Sequence, residues 1–195
     1  PPVDIEVPLV FITMEPRDNV FMVTIDNYLG GRMAMCHLFE QGYRKIAHIS
    51  GPLEWWEARQ RMAAWKDFLM ENGLAAEERQ CVEGNWSSAS GALAIEKLYD
   101  QFPEMDAIFV ANDQMALSIL QFFAEKGIRV PEEVGVVGFL RGVTVAVDGD
   151  NAVGVFGDHF PVRVHAERPD QVVVFVRLVD DFAFVDVVGD VLEDG

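Results

Sequence analysis

The chain has 195 residues, half of them apolar, and a formal net charge of −17 at pH 7. This length and apolar content predict a folded protein with a buried core, as one domain or two small ones, and exclude a disordered chain. The acidic excess argues against binding to a nucleic-acid backbone by this chain itself, since that needs clustered lysine and arginine.

No apolar run approaches the roughly 18 residues of a membrane span, and the first residues lack a basic-then-apolar signal pattern. We therefore expect no membrane partner and a cytoplasmic protein. The two cysteines, Cys36 and Cys81, form no Cys-x-x-Cys motif, and we predict that both are reduced core residues. Asp148 opens a segment that resembles a calcium loop, but Val153 and His159 replace its essential glycine and glutamate. We expect no metal site and no cofactor.

Strand-like and helix-like patterns alternate along residues 8–139. This alternation, with short connections, predicts an α/β fold with mostly parallel, doubly wound sheets covered by helices on both faces. The predicted elements are strands at 8–13 and 20–25, a helix from Asp26 or Asn27 to about 41, a strand at 45–50, a helix ending at Gly73, a strand at 79–83, a helix capped by Ser87 or Ser88, a strand at 107–111, a helix from Asn112 to Gly127, and a strand at 134–139.

The composition changes at Leu140. The last 55 residues contain sixteen valines and no Lys, Ile, Met, Ser, Trp, Tyr or Cys. Alternating valines predict a β-rich or irregular tail. Two interpretations stay open: a β-rich appendage, or an out-of-frame translation of a GC-rich gene, which the abruptly restricted alphabet favours.

Residues 45–65 form the segment around which the other patterns are arranged. An apolar strand runs into a Ser-Gly-Pro turn, and a helix with an apolar stripe follows. Ligands of open parallel sheets bind at the loops that follow the strand carboxyl ends. The Arg61 side chain leaves this helix from a largely apolar side, and Trp55 lies in the loop. The alternative for each is structural: Arg61 reaches solvent, and the tryptophan fills a domain seam.

Seven segments, in this order and spacing, resemble one family. Together they resemble the effector-binding core of the lactose-repressor/galactose-repressor (LacI/GalR) family of bacterial transcription regulators. The segments are 26–34 (DNYLGGRMA), 37–47 (HLFEQGYRKIA), 50–52 (SGP), 58–65 (ARQRMAAW), 84–87 (GNWS), 110–117 (VANDQMAL) and 130–139 (VPEEVGVVGF).

The resemblance implies a two-lobed, periplasmic-binding-protein-like fold that holds a small, sugar-like effector between lobes. It implies a homodimer in the intact family, and DNA contact only through a helix-turn-helix that is missing from this chain. Relative to the family, the chain starts at the third strand, so we predict an incomplete fold. The expected domains are a partial N-terminal lobe at 1–44, a C-terminal lobe at 45–139 and a divergent tail at 140–195.

The resemblance also implies a set of ligand-binding residues. Arg61 matches an arginine that hydrogen-bonds the ligand, Trp86 an aromatic ring that stacks on it, and Asn112 an amide that bonds sugar hydroxyls. These residue types suit a molecule with apolar faces and a hydroxyl rim. The structural alternatives are a surface ion pair for Arg61, a core position for Trp86 and a helix cap for Asn112.

Three further positions bear on specificity. Trp55 and Glu57 match positions at which specificity varies in the family. Leu140 takes the place of an aspartate that usually completes the hydroxyl clamp, and this departure puts effector binding in doubt.

These patterns predict the effector-sensing core of a transcription regulator and not an enzyme, since no nucleophile or acid–base set is recognisable. Two alternatives stay open: a periplasmic-type sugar-binding transport protein, and a non-functional truncated or frameshifted product.

Overall fold

The computed structural model describes residues 10–12, 15, 21–139, 144–147, 153–156, 162–165, 172–179 and 182–189. The chain divides into two compact units, one formed by residues 1–26 with 161–195 and the other by residues 27–160. The second unit contains the sheet and helices that carry the candidate site.

The larger unit is built on one six-stranded sheet with four helices. Its elements are α1 Asn27–Glu40, β3 Ile46–Ser50, α2 Trp56–Glu71, a 3₁₀ turn Glu78–Gln80, β4 Cys81–Glu83, α3 Ser88–Gln101, β5 Ala107–Val110, α4 Asp113–Lys126, β6 Gly135–Phe139, β7 Thr144–Val147 and β8 Val153–Phe156. The strand order in the sheet is β4-β3-β5-β6-β7-β8. The first four strands of this order pair in parallel, and β7 pairs antiparallel with β6 and with β8. The parallel α/β class predicted from the sequence is confirmed.

The helices cover the sheet in two pairs, α1 with α2 and α3 with α4. Alternate residues of a strand point to opposite faces, so each strand contributes one set of side chains to each pair. The main apolar cluster lies under α3 and α4. It includes Ala47, Ile49, Val82, Ile95, Leu98, Ile108, Val110, Ile119, Phe123 and Val136, all buried.

The helix termini follow the predicted signals. The Ser87 hydroxyl caps α3 by accepting from the Ser90 N–H, and the Asn112 amide oxygen caps α4 by accepting from the Met115 N–H. Gly127 ends α4 with φ +72°, a conformation that glycine adopts without a side-chain penalty. Short polar caps and a left-handed glycine therefore fix the length of α4.

The smaller unit has a three-stranded sheet and a hairpin. Strand β2 (Phe21–Ile25) pairs in parallel with β1 (Val10–Ile12) and antiparallel with β9 (Val162–His165). Strands β10 (Val172–Val179) and β11 (Phe182–Gly189) form an antiparallel pair. The predicted strand character of the tail is confirmed for these segments, and the origin of the tail stays a prediction.

Cys36 is exposed, so its prediction as a core residue was wrong: Met35 and Leu38 are the inward positions of α1, and Cys36 follows Met35 by about 100° around the helix. Helix α1 lies in the same compact unit as α2, and the predicted division into lobes at residue 45 stays a prediction.

Within the described ranges, no helix combines the length and apolar character needed to cross a membrane. The same ranges contain no group of three or more His, Cys, Asp and Glu side chains placed to hold a metal ion.

Candidate ligand-binding site

Arg61 is a half-buried cation in the second turn of α2. Its Nε and Nη2 donate to Asn27 Oδ1, at 2.9 and 2.7 Å, and its Nη1 donates to the Ala111 carbonyl oxygen. The guanidinium carbon lies 3.8 Å from the centroid of the Phe139 ring. The surface ion pair considered for Arg61 is absent: no carboxylate of the described residues lies within bridging distance.

The surroundings of Arg61 lower its pKa to about 10. Burial is the main cause, since it disfavours the charged form, and the negative charges of Glu57 and Asp113 oppose it. Arg61 therefore stays cationic at neutral pH. A guanidinium has five N–H donors, and three are used by Asn27 and Ala111, which leaves two for another acceptor.

Asn112 joins two loops at the carboxyl edge of the sheet. Its Oδ1 accepts from the Met115 N–H at 3.1 Å, and its Nδ2 donates to the Trp86 carbonyl oxygen at 2.8 Å. Asn112 is therefore a helix cap, as its structural alternative predicted. The amide also holds the loop after β4 beside the start of α4, with one N–H and one lone pair of Oδ1 left over.

Trp86 is held in a specific orientation by the backbone. Its φ of +72° is in the left-handed region, which is unfavourable for a bulky residue. Its ring covers Gly51: a Cβ built there would lie 2.1 Å from the ring. Only a residue without a side chain leaves room for this ring on the Ser-Gly-Pro turn.

Two indole rings lie in sequence from Arg61 towards the solvent. The Trp86 ring centroid is 5.6 Å from the Arg61 guanidinium carbon, and the Trp55 ring meets Trp86 edge to face at 6.5 Å between centroids. Trp55 is 53% exposed. Two indoles, one of them open to solvent, therefore adjoin the half-buried guanidinium.

Four of the five predicted site residues form a connected group: Arg61, Trp86, Asn112 and Trp55. Glu57, in the first turn of α2, is linked to the group through its charge interaction with Arg61. Leu140 lies outside the described residues. Whether these residues bind a ligand stays a prediction.

Asn27, Phe139 and Asp113 also interact with Arg61, and the sequence patterns did not identify them as candidate site residues. Asn27 was considered as a helix cap and Phe139 as the end of a strand. All three lie at or next to a strand carboxyl end in the predicted order of elements, and that shared location was the available signal.

The fold has counterparts among known proteins. A model of the periplasmic binding protein-like domain matches residues 35–146, which is more than half of the chain. The chain belongs to this family. Its relatives confirm the resemblance to LacI-type regulators. The transcriptional regulator CelR of Thermobifida fusca is 38% identical over 124 residues, 64% of this chain and 36% of CelR.

Two further relatives agree. The lactose operon repressor of Escherichia coli is 32% identical over 133 residues, 68% of this chain and 36% of the repressor. A solved complex of the transcriptional regulator CelR with cellobiose has a TM-score of 0.63 at 37% identity, covering 68% of this chain and 41% of CelR. This periplasmic binding protein-like chain thus spans between a third and half of the length of such relatives. They are named as transcription regulators, not enzymes.

Proposed function

We propose that this chain is the effector-sensing core of a cytoplasmic bacterial transcription regulator, and that its effector is a neutral sugar. The observation that carries the proposal is the connected group of Arg61, Trp86 and Asn112 at the carboxyl edge of the parallel sheet. One flat aromatic surface, one fixed fork of donors and one amide therefore adjoin each other.

The chemistry of this group suits a sugar. The apolar face of a pyranose stacks on an indole, and its hydroxyls need fixed donors and acceptors. Arg61 keeps two N–H donors and Asn112 keeps one N–H and a lone pair after their internal bonds are made. Trp55 and Glu57, at the rim, would then contact the variable part of the ligand.

Cellobiose is the first ligand to test, because the CelR structure is a cellobiose complex. Sensing requires that the ligand favour one conformation over another, since equal affinity for both shifts no population. Arg61 bonds both the start of α1, through Asn27, and the end of β5, through Ala111. A ligand on Arg61 would act on the junction of these elements.

Titration calorimetry of the chain with cellobiose, lactose, glucose and ribose tests the proposal. Arg61→Ala should weaken binding of the accepted sugar at least about tenfold, which corresponds to about 1.4 kcal/mol. Arg129→Ala is the matched control, because Arg129 is an exposed arginine in the segment after α4, paired with Glu133. The control should bind as the unaltered chain does. Unchanged affinity in Arg61→Ala would reject the site.

We further propose that the intact regulator is a homodimer that contacts DNA through a domain outside this chain. Leu93 of α3 and Leu117 of α4 support a second copy as the partner, since they are 69% and 65% exposed on the adjacent helices α3 and α4. Light scattering should give a dimer mass that Leu117→Lys reduces to the monomer mass. A monomer at all concentrations would reject this assignment.

A further inference from the structure

Asp113 is a carboxylate beside the candidate site that the resemblance does not assign. It is the first residue of α4, directly after Asn112. Its Oδ1 lies 3.2 Å from the position a Cβ would take on Gly138, so the carboxylate reaches the carboxyl end of β6. The next residue of that strand, Phe139, supports the Arg61 guanidinium. Asp113 therefore sits between the ends of β5 and β6.

The Asp113 carboxylate has spare hydrogen-bonding capacity. Its own backbone N–H donates to it, and no other donor or ion-pair partner contacts it among the described residues. Arg61 interacts with Asp113 through charge but makes no bridge to it. A carboxylate has about four acceptor positions, so most of those on Asp113 are unused although the side chain is half-buried.

The rest of the group offers a ligand more hydrogen-bond donors than acceptors. Arg61 can only donate, and Asn112 has one N–H and one lone pair of Oδ1 left after its bonds to Trp86 and Met115. A ligand hydroxyl both donates and accepts. A ligand with several hydroxyls therefore needs a further acceptor, and Asp113 is placed to provide it.

We propose that Asp113 is a ligand-binding and specificity-determining residue that accepts hydrogen bonds from hydroxyl groups of the effector. The proposal rests on the proposed function. It also limits the ligand class: Asp113 and Glu57 together outweigh the single charge of Arg61, so a carboxylate or phosphate on the ligand is repelled. The site thereby selects neutral polyols over sugar acids.

The competing explanation is structural. An aspartate in the first turn of a helix stabilises it through the helix dipole. That role predicts a small loss of thermal stability in Asp113→Asn and no change in ligand affinity. Ligand selectivity and pH dependence of binding are therefore the measurements that separate the two roles.

The experiment compares the unaltered chain, Asp113→Asn and the control Asp100→Asn, which changes an exposed aspartate of α3. Calorimetry with cellobiose and with cellobionic acid is run at pH 7.5. Asp113→Asn should bind cellobiose at least about fivefold more weakly and discriminate less against cellobionic acid, while Asp100→Asn binds as the unaltered chain does. Melting temperatures confirm that all three chains are folded.

A pH series from 5 to 8 adds an independent measurement. Burial raises the pKa of Asp113 to about 6, so cellobiose affinity of the unaltered chain should fall below that pH and stay level in Asp113→Asn. Arg61 remains charged over this range and Glu57 is present in both chains, so the difference between the two profiles isolates Asp113. Equal affinity, equal selectivity and matching profiles would overturn the inference. If the unaltered chain binds none of the sugars, the proposed function itself fails.

Discussion

The two faces of the parallel sheet are built on different principles. Under α3 and α4 the buried side chains are apolar, from Ile49 and Val82 to Ile119 and Phe123. Burial of such groups stabilises the fold without requiring any one partner. Many similar apolar sets would fill this face.

The face under α1 and α2 contains polar groups that each need a defined partner. His48 Nδ1 donates to the Phe109 carbonyl oxygen at 2.8 Å, Trp65 Nε1 donates to the Ile46 carbonyl oxygen at 3.1 Å, and Arg61 bonds Asn27. Unpartnered polar groups in an interior are unfavourable, so these bonds fix side-chain positions. The α3/α4 face therefore mainly supplies stability, while the α1/α2 face holds Arg61 of the candidate site in a fixed position.

The largest effect is expected from the apolar face. Phe123→Ala removes a fully buried ring and should lower the free energy of unfolding by about 3–5 kcal/mol. Urea denaturation measures it, with the exposed Met70→Ala as a control expected to change stability by less than about 0.5 kcal/mol. The folded fraction of Phe123→Ala should bind sugar with unaltered affinity. A large loss of affinity would show that the two faces are not separable.

His48 gives the next largest effect, as a pH dependence. Its Nδ1 carries the proton donated to Phe109, and its Nε2 has no hydrogen-bond partner among the described residues. The ring stacks on Trp65 and Phe109, at 5.7 and 4.8 Å between centroids. Burial without an acceptor for a second proton lowers the pKa of His48 to about 4. The unfolded chain therefore binds this proton more readily than the folded chain between pH 6.5 and 4.

The free energy of unfolding is therefore not reduced by His48 above pH 6.5. As the pH falls towards 4, protonation of His48 in the unfolded chain lowers it by roughly 3 kcal/mol in total. In His48→Phe this component should be missing, so its free energy of unfolding should decline less than that of the unaltered chain over the window. Chemical denaturation at pH 7.5, 6, 5 and 4 measures the difference. Parallel declines in the two chains would mean that His48 does not carry this pH dependence.

The contrast between the faces also explains what the sequence could predict. Apolar periodicity and caps such as Asn112 gave the parallel fold and the helix starts, because burial and capping depend on local patterns. The bond from Arg61 to Asn27 spans 34 residues, and no local pattern encodes it. The exposure of Cys36 was not predicted because the inward-facing stripe of α1 was taken to be one residue too wide, so that it included Cys36.

The bond between Asn27 and Arg61 can be measured by a double-mutant cycle. Asn27→Ala leaves two N–H groups of a half-buried guanidinium without an acceptor, so unfolding experiments should give a coupling energy of about 1–3 kcal/mol with Arg61→Ala. The exposed pair Arg129–Glu133 is the matched control, with an expected coupling below about 0.5 kcal/mol. Similar coupling in both pairs would contradict the view that the α1/α2 face depends on specific polar partners.

The smallest effect concerns the backbone at Trp86. With φ at +72°, a residue with a Cβ is strained there and glycine is not. Trp86→Gly and Trp86→Ala both remove the ring from Gly51 and from the Arg61 guanidinium, so both should lose sugar binding. Their stabilities should nevertheless differ, with the glycine variant more stable by about 1 kcal/mol. Comparing the thermal unfolding of the two variants measures the contribution of backbone strain at residue 86 to stability. If the alanine variant is the more stable of the two, Trp86 does not hold the left-handed conformation, and the orientation of its ring must be fixed by side-chain contacts alone.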